Sequence, residues 1–194
     1  MTINNVLTYK TFVMFDIKEK EQVLEAKTLQ LVIPQYRMHT QLFDNVIDNI
    51  SGFDALKRVN DVTNHFVWMA GNMVNIRFWL ANILGVEDKD PYDELFKDAR
   101  ALDPKANYPE LKDLKDQWHK ISSQLYDMLY RVTDEELAQP YNLGMGVDFF
   151  EENKLNMIGM CLDRESYLLG QMGLMRRALG YEGMKYDINK EIHY

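Results

Sequence analysis

The sequence predicts an all-α fold, a single bundle of four long helices. Four stretches repeat apolar residues at spacings of three and four, the mark of a helix with one buried face. Punctuation separates them: Ser51-Gly52, Gly85, and the pair Gly144 and Gly146. A chain of 194 residues, 46% hydrophobic and 27% charged, is long enough to bury one core without staples. One domain over 1–194 is expected, with a bundle core at about 34–180, an N-terminal extension at 1–33 and a tail at 181–194.

The first helical stretch runs from about Lys20 to Asn49 and carries Val23, Leu24, Leu31, Phe43, Val46, Ile47 and Ile50. Pro34 removes an N–H donor and clashes with the preceding turn, so the bundle helix proper is expected to begin near it. The second stretch, about Val62 to Leu84, has its stripe at Phe66, Met69, Ala70, Met73, Ile76 and Leu80, with Asp61 or Thr63 as cap and Gly85 as stop. An Asp- and Pro-rich connection follows. A bare loop of that length is uncommon in a compact domain, so a short helix is expected around Tyr92 to Asp98. The third stretch runs from about Pro109 to Arg131, with Pro109 in its first turn and Leu111, Leu114, Trp118, Ile121, Leu125, Met128 and Leu129 facing inward. The fourth covers roughly Asp148 to Leu179, and the polar tail after Gly180 is expected to pack loosely or serve a partner.

Several function classes lose support at this level. The net charge of -8, with no segment rich in Lys and Arg, argues against nucleic acid. No run of 18 uncharged apolar residues predicts a membrane span. The first twenty residues, with Lys10, Asp16, Lys18, Glu19 and Lys20, lack the apolar core of a signal peptide. The single cysteine, Cys161, excludes an internal disulfide framework and reads as a buried thiol, so a cytoplasmic setting is expected. No Ser-His-Asp signature, phosphate loop or Glu-x-x-His pair is visible.

The most specific segment is Cys161 to Gly180, C-L-D-R-E-S-Y-L-L-G-Q-M-G-L-M-R-R-A-L-G. It resembles the last helix of the DinB-like (YfiT-like) metal-dependent four-helix bundles, in which the text commonly reads H-E-x-Y-H-x-G-Q-x-x-x-L-R-R-x-L-G. Glu165, Tyr167, Gly170, Gln171, Arg176, Arg177, Leu179 and Gly180 match that pattern. The helix-two text W-x-x-G-H has its counterpart in Trp68-Met69-Ala70-Gly71-Asn72. The resemblance covers about residues 34 to 184. It implies a DinB/YfiT-like bundle with long crossover connections, homodimers formed by helix packing, and a divalent metal held by three histidines for hydrolase or thiol transferase chemistry.

The ligands themselves are missing, because the three histidine positions carry Asn72, Arg164 and Leu168. Leucine has no donor atom, arginine is permanently cationic, and a lone amide oxygen is a weak ligand for a borderline-soft ion. A non-catalytic, degenerate bundle with no metal and no cofactor is therefore expected. The alternative is an enzyme of the family's type using a shifted site built from His65 and Glu165, whereas His65, one residue past Asn64 and near a helix start, otherwise reads as making a local hydrogen bond.

An inward Arg164 needs a partner, since an unpaired buried charge is costly. Either a carboxylate from another helix forms an internal salt bridge with it, or it binds a small carboxylate or phosphate ligand. Tyr167 and Gln171 complete the candidate pocket as packing and hydrogen-bonding residues. Gly170 and Gly173 read as sites of close helix contact. Met157, Met160, Met172 and Met175 read as core or as the wall of an apolar pocket beside Arg164. His39 and His119 read as surface or partly buried helix residues. An outward apolar patch at Phe78 and Trp79 would favour a homodimer.

Overall fold

A computed structural model describes residues 23–194. The leading part of the extension expected at 1–33, up to residue 22, lies outside the described residues, together with the charged positions of the first twenty. The elements in order are α1 (Val32–Ile47), α2 (Gly52–Ala55), α3 (Phe66–Ile83), α4 (Asp93–Phe96), α5 (Leu111–Arg131), α6 (Asp134–Leu137) and α7 (Lys154–Ala178). The protein is an all-α helical bundle. Helices α1, α3, α5 and α7 are the four long ones, and the others are single turns in the connections.

Pro34 falls in the first turn of α1, where its missing donor has no intrahelical partner to lose. Val23 and Leu31, expected on the buried face of a longer first helix, lie outside α1 and are exposed. Helix α3 is capped by His65 and not by Asp61 or Thr63. Gly85 stops it with φ +100°, a conformation that costs glycine nothing. The short helix expected near Tyr92 to Asp98 is α4 with the 3-10 turn Lys97–Ala99. Pro109 precedes the N-cap Glu110 of α5 and so lies outside that helix. Helix α7 starts at Lys154, later than the Asp148 expected, because Asn153 accepts the Asn156 N–H and sets the N-terminus there. Ahead of it, Glu152 accepts the N–H groups of Leu143, Gly144 (2.8 Å) and Met145 (2.7 Å), which folds the α6–α7 connection.

Helix α3 packs on α5 and α7, and α1 packs on the same two. The helices thus form a ring in the order α1, α7, α3, α5. Chain neighbours α1 and α3 lie across the diagonal, as do α5 and α7, so the connections 48–65 and 132–153 each cross the bundle. One hydrophobic core runs through all four helices, with Phe43 stacked on Trp118 at 4.4 Å.

The tail is largely exposed but is fastened to the bundle by specific hydrogen bonds. Gln41 exchanges two hydrogen bonds with the Asn189 backbone, at 3.1 and 3.0 Å. Asn45 donates to the Asp187 carbonyl at 2.8 Å, and the Tyr194 hydroxyl meets His119 Nδ1 at 3.2 Å. Arg176 is nearly buried and donates to the Val46 and Asp48 carbonyls. It satisfies acceptors at the C-terminus of α1 as well as suiting the end of its own helix.

Candidate functional site

Three consecutive residues of α7 serve three different places, because each step along a helix turns by about 100°. Arg164 faces α3, Glu165 enters the bundle centre and Ser166 faces α1.

At the first place, Arg164 Nε donates to Asn72 Oδ1 at 3.2 Å. Two of the three positions singled out by the sequence are therefore in contact. The third, Leu168, is fully buried in the core. Arg164 forms no salt bridge among the described residues, contrary to one of the two readings. Its guanidinium instead lies over the exposed Tyr167 ring at 5.4 Å. Arg164 and Asn72 wall a groove of about 840 Å³ between α3, residues 89–98 and α7. Ile76, Phe78, Trp79, Phe96, Leu143 and Met160 supply its apolar surface.

Asp90, Asp93, Lys89 and Lys97, which also line the groove, have protein partners. Asn75 Nδ2 donates to Asp90 Oδ2 (2.7 Å) and Asp93 Oδ1 (3.0 Å). Lys97 pairs with Glu94 and Lys89 donates to Asn82, while Asp98 is exposed at the rim. Burial pushes the Asp90 carboxyl above the usual carboxylate range, with the Asn75 and Tyr92 N–H groups opposing that rise.

Of the other residues expected in this pocket, His65, Glu165, Tyr167, Leu168 and Gln171 do not line the groove. Nor do His65 and Glu165 build a shifted metal site. His65 Nδ1 accepts the Trp68 N–H at 3.0 Å, and its ring meets Tyr108 edge-on. Both Glu165 oxygens are engaged by Arg77 and His39. Among the described residues no group of three His, Cys, Asp or Glu side chains is placed to hold a metal ion.

Phe78 and Trp79 do not form the outward patch that would have favoured a homodimer. Phe78 is buried, and Trp79 is half-buried against Tyr141 at 5.7 Å. Gly170 and Gly173 do not permit close helix contact either, since an added Cβ would meet nothing within 4 Å at either one.

At the second place, a buried network joins all four long helices around Arg77, whose side chain is 0% exposed. Its Nε and Nη2 hold the two Glu165 oxygens at 2.7 and 3.1 Å. Nη1 donates to Thr40 Oγ1 (2.8 Å) and Ser122 Oγ (2.5 Å), and Nη2 also reaches the Tyr36 carbonyl (3.3 Å). Those five bonds match the five guanidinium donors. The plane is held between Trp118, with its ring centroid 3.5 Å away, and Tyr36, at 4.1 Å. Burial acts to raise the Glu165 carboxyl, but Arg77 and His39 outweigh it and hold the group below the usual carboxylate range. Cys161 is buried beside this network, and burial, with the Glu165 charge, pushes its thiol well up and leaves it inert.

Sequence reasoning missed Arg77, although a signal was present. It is the only charge in α3 and falls on the buried stripe, four residues after Met73. At the third place, Ser166 Oγ lies 3.1 Å from His39 Nε2, a contact between α7 and α1 that no local pattern announces.

His65 gives a measurable pH dependence. Burial, opposed by a hydrogen bond of its own backbone and helped by Arg58, lowers its pKa from 6.5 to about 4. The unfolded chain then takes the proton first, so stability is full above about pH 6.5 and falls as pH drops towards 4. The slope approaches about 1.4 kcal/mol per pH unit for one proton. His65→Asn keeps a capping oxygen and is expected to remove that slope. Urea unfolding of both proteins at pH 7 and pH 5 checks this, and equal losses for the two proteins would contradict it.

No protein-family model matches the chain, and comparison with curated proteins finds no matching relative.

Proposed function

We propose that this chain is a degenerate DinB/YfiT-like bundle that has lost the family's metal chemistry and binds a small organic anion, a carboxylate with an apolar body, at Arg164. The observation that carries this reading is the position of Arg164 in the wall of the groove. Asn72 engages Nε, and the terminal nitrogens have no hydrogen-bond partner among the described residues. A planar guanidinium fixed at one edge is preorganised for bidentate contact with a carboxylate. Apolar side chains around it remove the rest of such a ligand from water, the usual composition of a small-molecule site.

The family reading is supported by the matched residues of α7 and by the contact of Asn72 with Arg164, at two of the positions where the family places its ligands. The diagonal connections 48–65 and 132–153 accord with the long crossovers the resemblance implies.

Calorimetric titration with straight-chain and aryl carboxylates tests the proposal. One carboxylate per chain is expected to bind. A hydrogen-bonded charge contributes roughly 1.5–3 kcal/mol, so Arg164→Gln is expected to weaken binding about 10- to 100-fold. Equal affinity in Arg164→Gln, or no binding across the series, would overturn it.

A further inference from the structure

The imidazole of His39 is held between two neighbouring residues of α7. Glu165 Oε2 lies 2.9 Å from Nδ1 and Ser166 Oγ lies 3.1 Å from Nε2. Glu165 already accepts two hydrogen bonds from Arg77, so it is ionised and acts only as an acceptor. Nδ1 therefore carries the imidazole proton, and the Nε2 lone pair accepts the serine O–H. Accessibility rises along the chain of contacts: Glu165 is 1% exposed, His39 is 9%, and Ser166 opens to solvent.

From this geometry we infer that Ser166 is a nucleophile, with His39 as general base and Glu165 as the residue that orients the imidazole. The three roles are those of the serine–histidine–acid triad, which is recognised by geometry and not by chain order. Arg77 holds both carboxylate oxygens and so keeps Glu165 from turning away from His39.

The substrate class follows from the pocket that Ser166 and His39 share, a space of about 430 Å³ between α1, α7 and the tail. Leu42, Leu169 and Met184 make it apolar, and Gly170 and Gly173 leave its floor along α7 free of side chains. Ser166, Gly170 and Gly173 follow the i, i+4, i+7 line, so a channel for a short acyl chain runs directly from the nucleophile. The pocket takes a neutral ester with a short apolar acyl group.

Ser166 Oγ attacks the carbonyl carbon as its proton passes to His39 Nε2. The ester C–O bond breaks, the alcohol leaves with that proton, and Ser166 is acylated. Water then attacks the acyl group, giving a proton to His39, which returns it to Ser166 as the acid departs. The backbone N–H groups around Ser166 belong to the helix, so a side chain has to meet the oxygen that gains charge. Tyr186, a residue of the pocket wall that also carries a hydroxyl, is assigned that part.

The test is reaction of the full-length protein with an alkyl fluorophosphonate, followed by intact mass and peptide mapping, alongside hydrolysis of p-nitrophenyl butyrate. One adduct per chain is expected, on Ser166. Ser166→Ala, a change at an exposed position, is expected to retain the fold and abolish both labelling and hydrolysis. His39→Gln is expected to slow labelling about 100-fold or more. Tyr186→Phe is expected to lower kcat with little change in KM.

No adduct on Ser166, equal labelling of protein unfolded in urea before the reagent is added, or equal labelling in folded His39→Gln would overturn the assignment. So would hydrolysis that survives in Ser166→Ala. None of these readouts depends on Arg164, which faces the other side of α7.

Discussion

Replacing Arg77 with Met is expected to cost about 3–5 kcal/mol, because it strands the Glu165 carboxylate in the core with only His39 as a partner. That is a large fraction of the roughly 5–15 kcal/mol that holds a typical domain together. The double change Arg77→Met with Glu165→Leu removes both charges and is expected to recover most of the loss, since a buried ion pair often contributes little over an apolar pair. Urea denaturation of the three proteins measures this. A single variant within about 1 kcal/mol of the parent would mean that the network relaxes or admits water. Because the folded protein holds the Glu165 carboxyl below its usual range, its contribution is complete at neutral pH. It is lost only as pH falls through that lowered value.

The second large effect is expected at Gly71. A Cβ there would lie 2.0 Å from Phe96 Cζ and 2.4 Å from Cε1. Phe96 is fully buried and forms part of the groove wall. Alanine would gain roughly 1 kcal/mol in helix propensity, but the ring would have to move by more than an ångström inside a packed layer. Gly71→Ala is expected to be destabilising by about 1–3 kcal/mol overall and to drive Phe96 into the groove, so carboxylate affinity falls as well. Phe96→Leu in the same chain shortens the obstructing group and is expected to restore part of the stability. If Gly71→Ala melted at or above the parent temperature, the close packing of α4 on α3 would be contradicted.

Much of this architecture was legible because it is local. The stripe from Phe66 to Leu80, the stop at Gly85, the break at Pro34 and the short helix after Tyr92 each follow from a few neighbouring residues. Asn72 and Arg164 were singled out as positions of one site by the texts of α3 and α7, but their contact with each other was not foreseen. What escaped depends on residues far apart in the chain.

His65 makes the local hydrogen bond expected near a helix start, as the cap on the Trp68 N–H, but its contact with Tyr108 from the α4–α5 connection is long-range and had no local signal. The Arg77 network takes one or more groups from each of four helices, and helical periodicity gives no pairing between them. The expectation that Arg164 would find a carboxylate failed for the same reason. The carboxylate beside it, Glu165, belongs to a different face of α7 and is taken by Arg77. Gly170 and Gly173 misled because glycine on a helix can serve close contact or leave open space, and here they border a pocket walled by α1 and the tail.

The central claim is that the groove at Arg164, and not the pocket at Ser166, receives a carboxylate. Methionine methyl NMR separates them, because Met160 lines the first and Met184 the second. Titration with a carboxylate that binds in calorimetry is expected to shift the Met160 methyl saturably, to leave Met184 in place, and to lose the Met160 shift in Arg164→Gln. Movement of Met184 alone, or of neither methyl, would contradict the account.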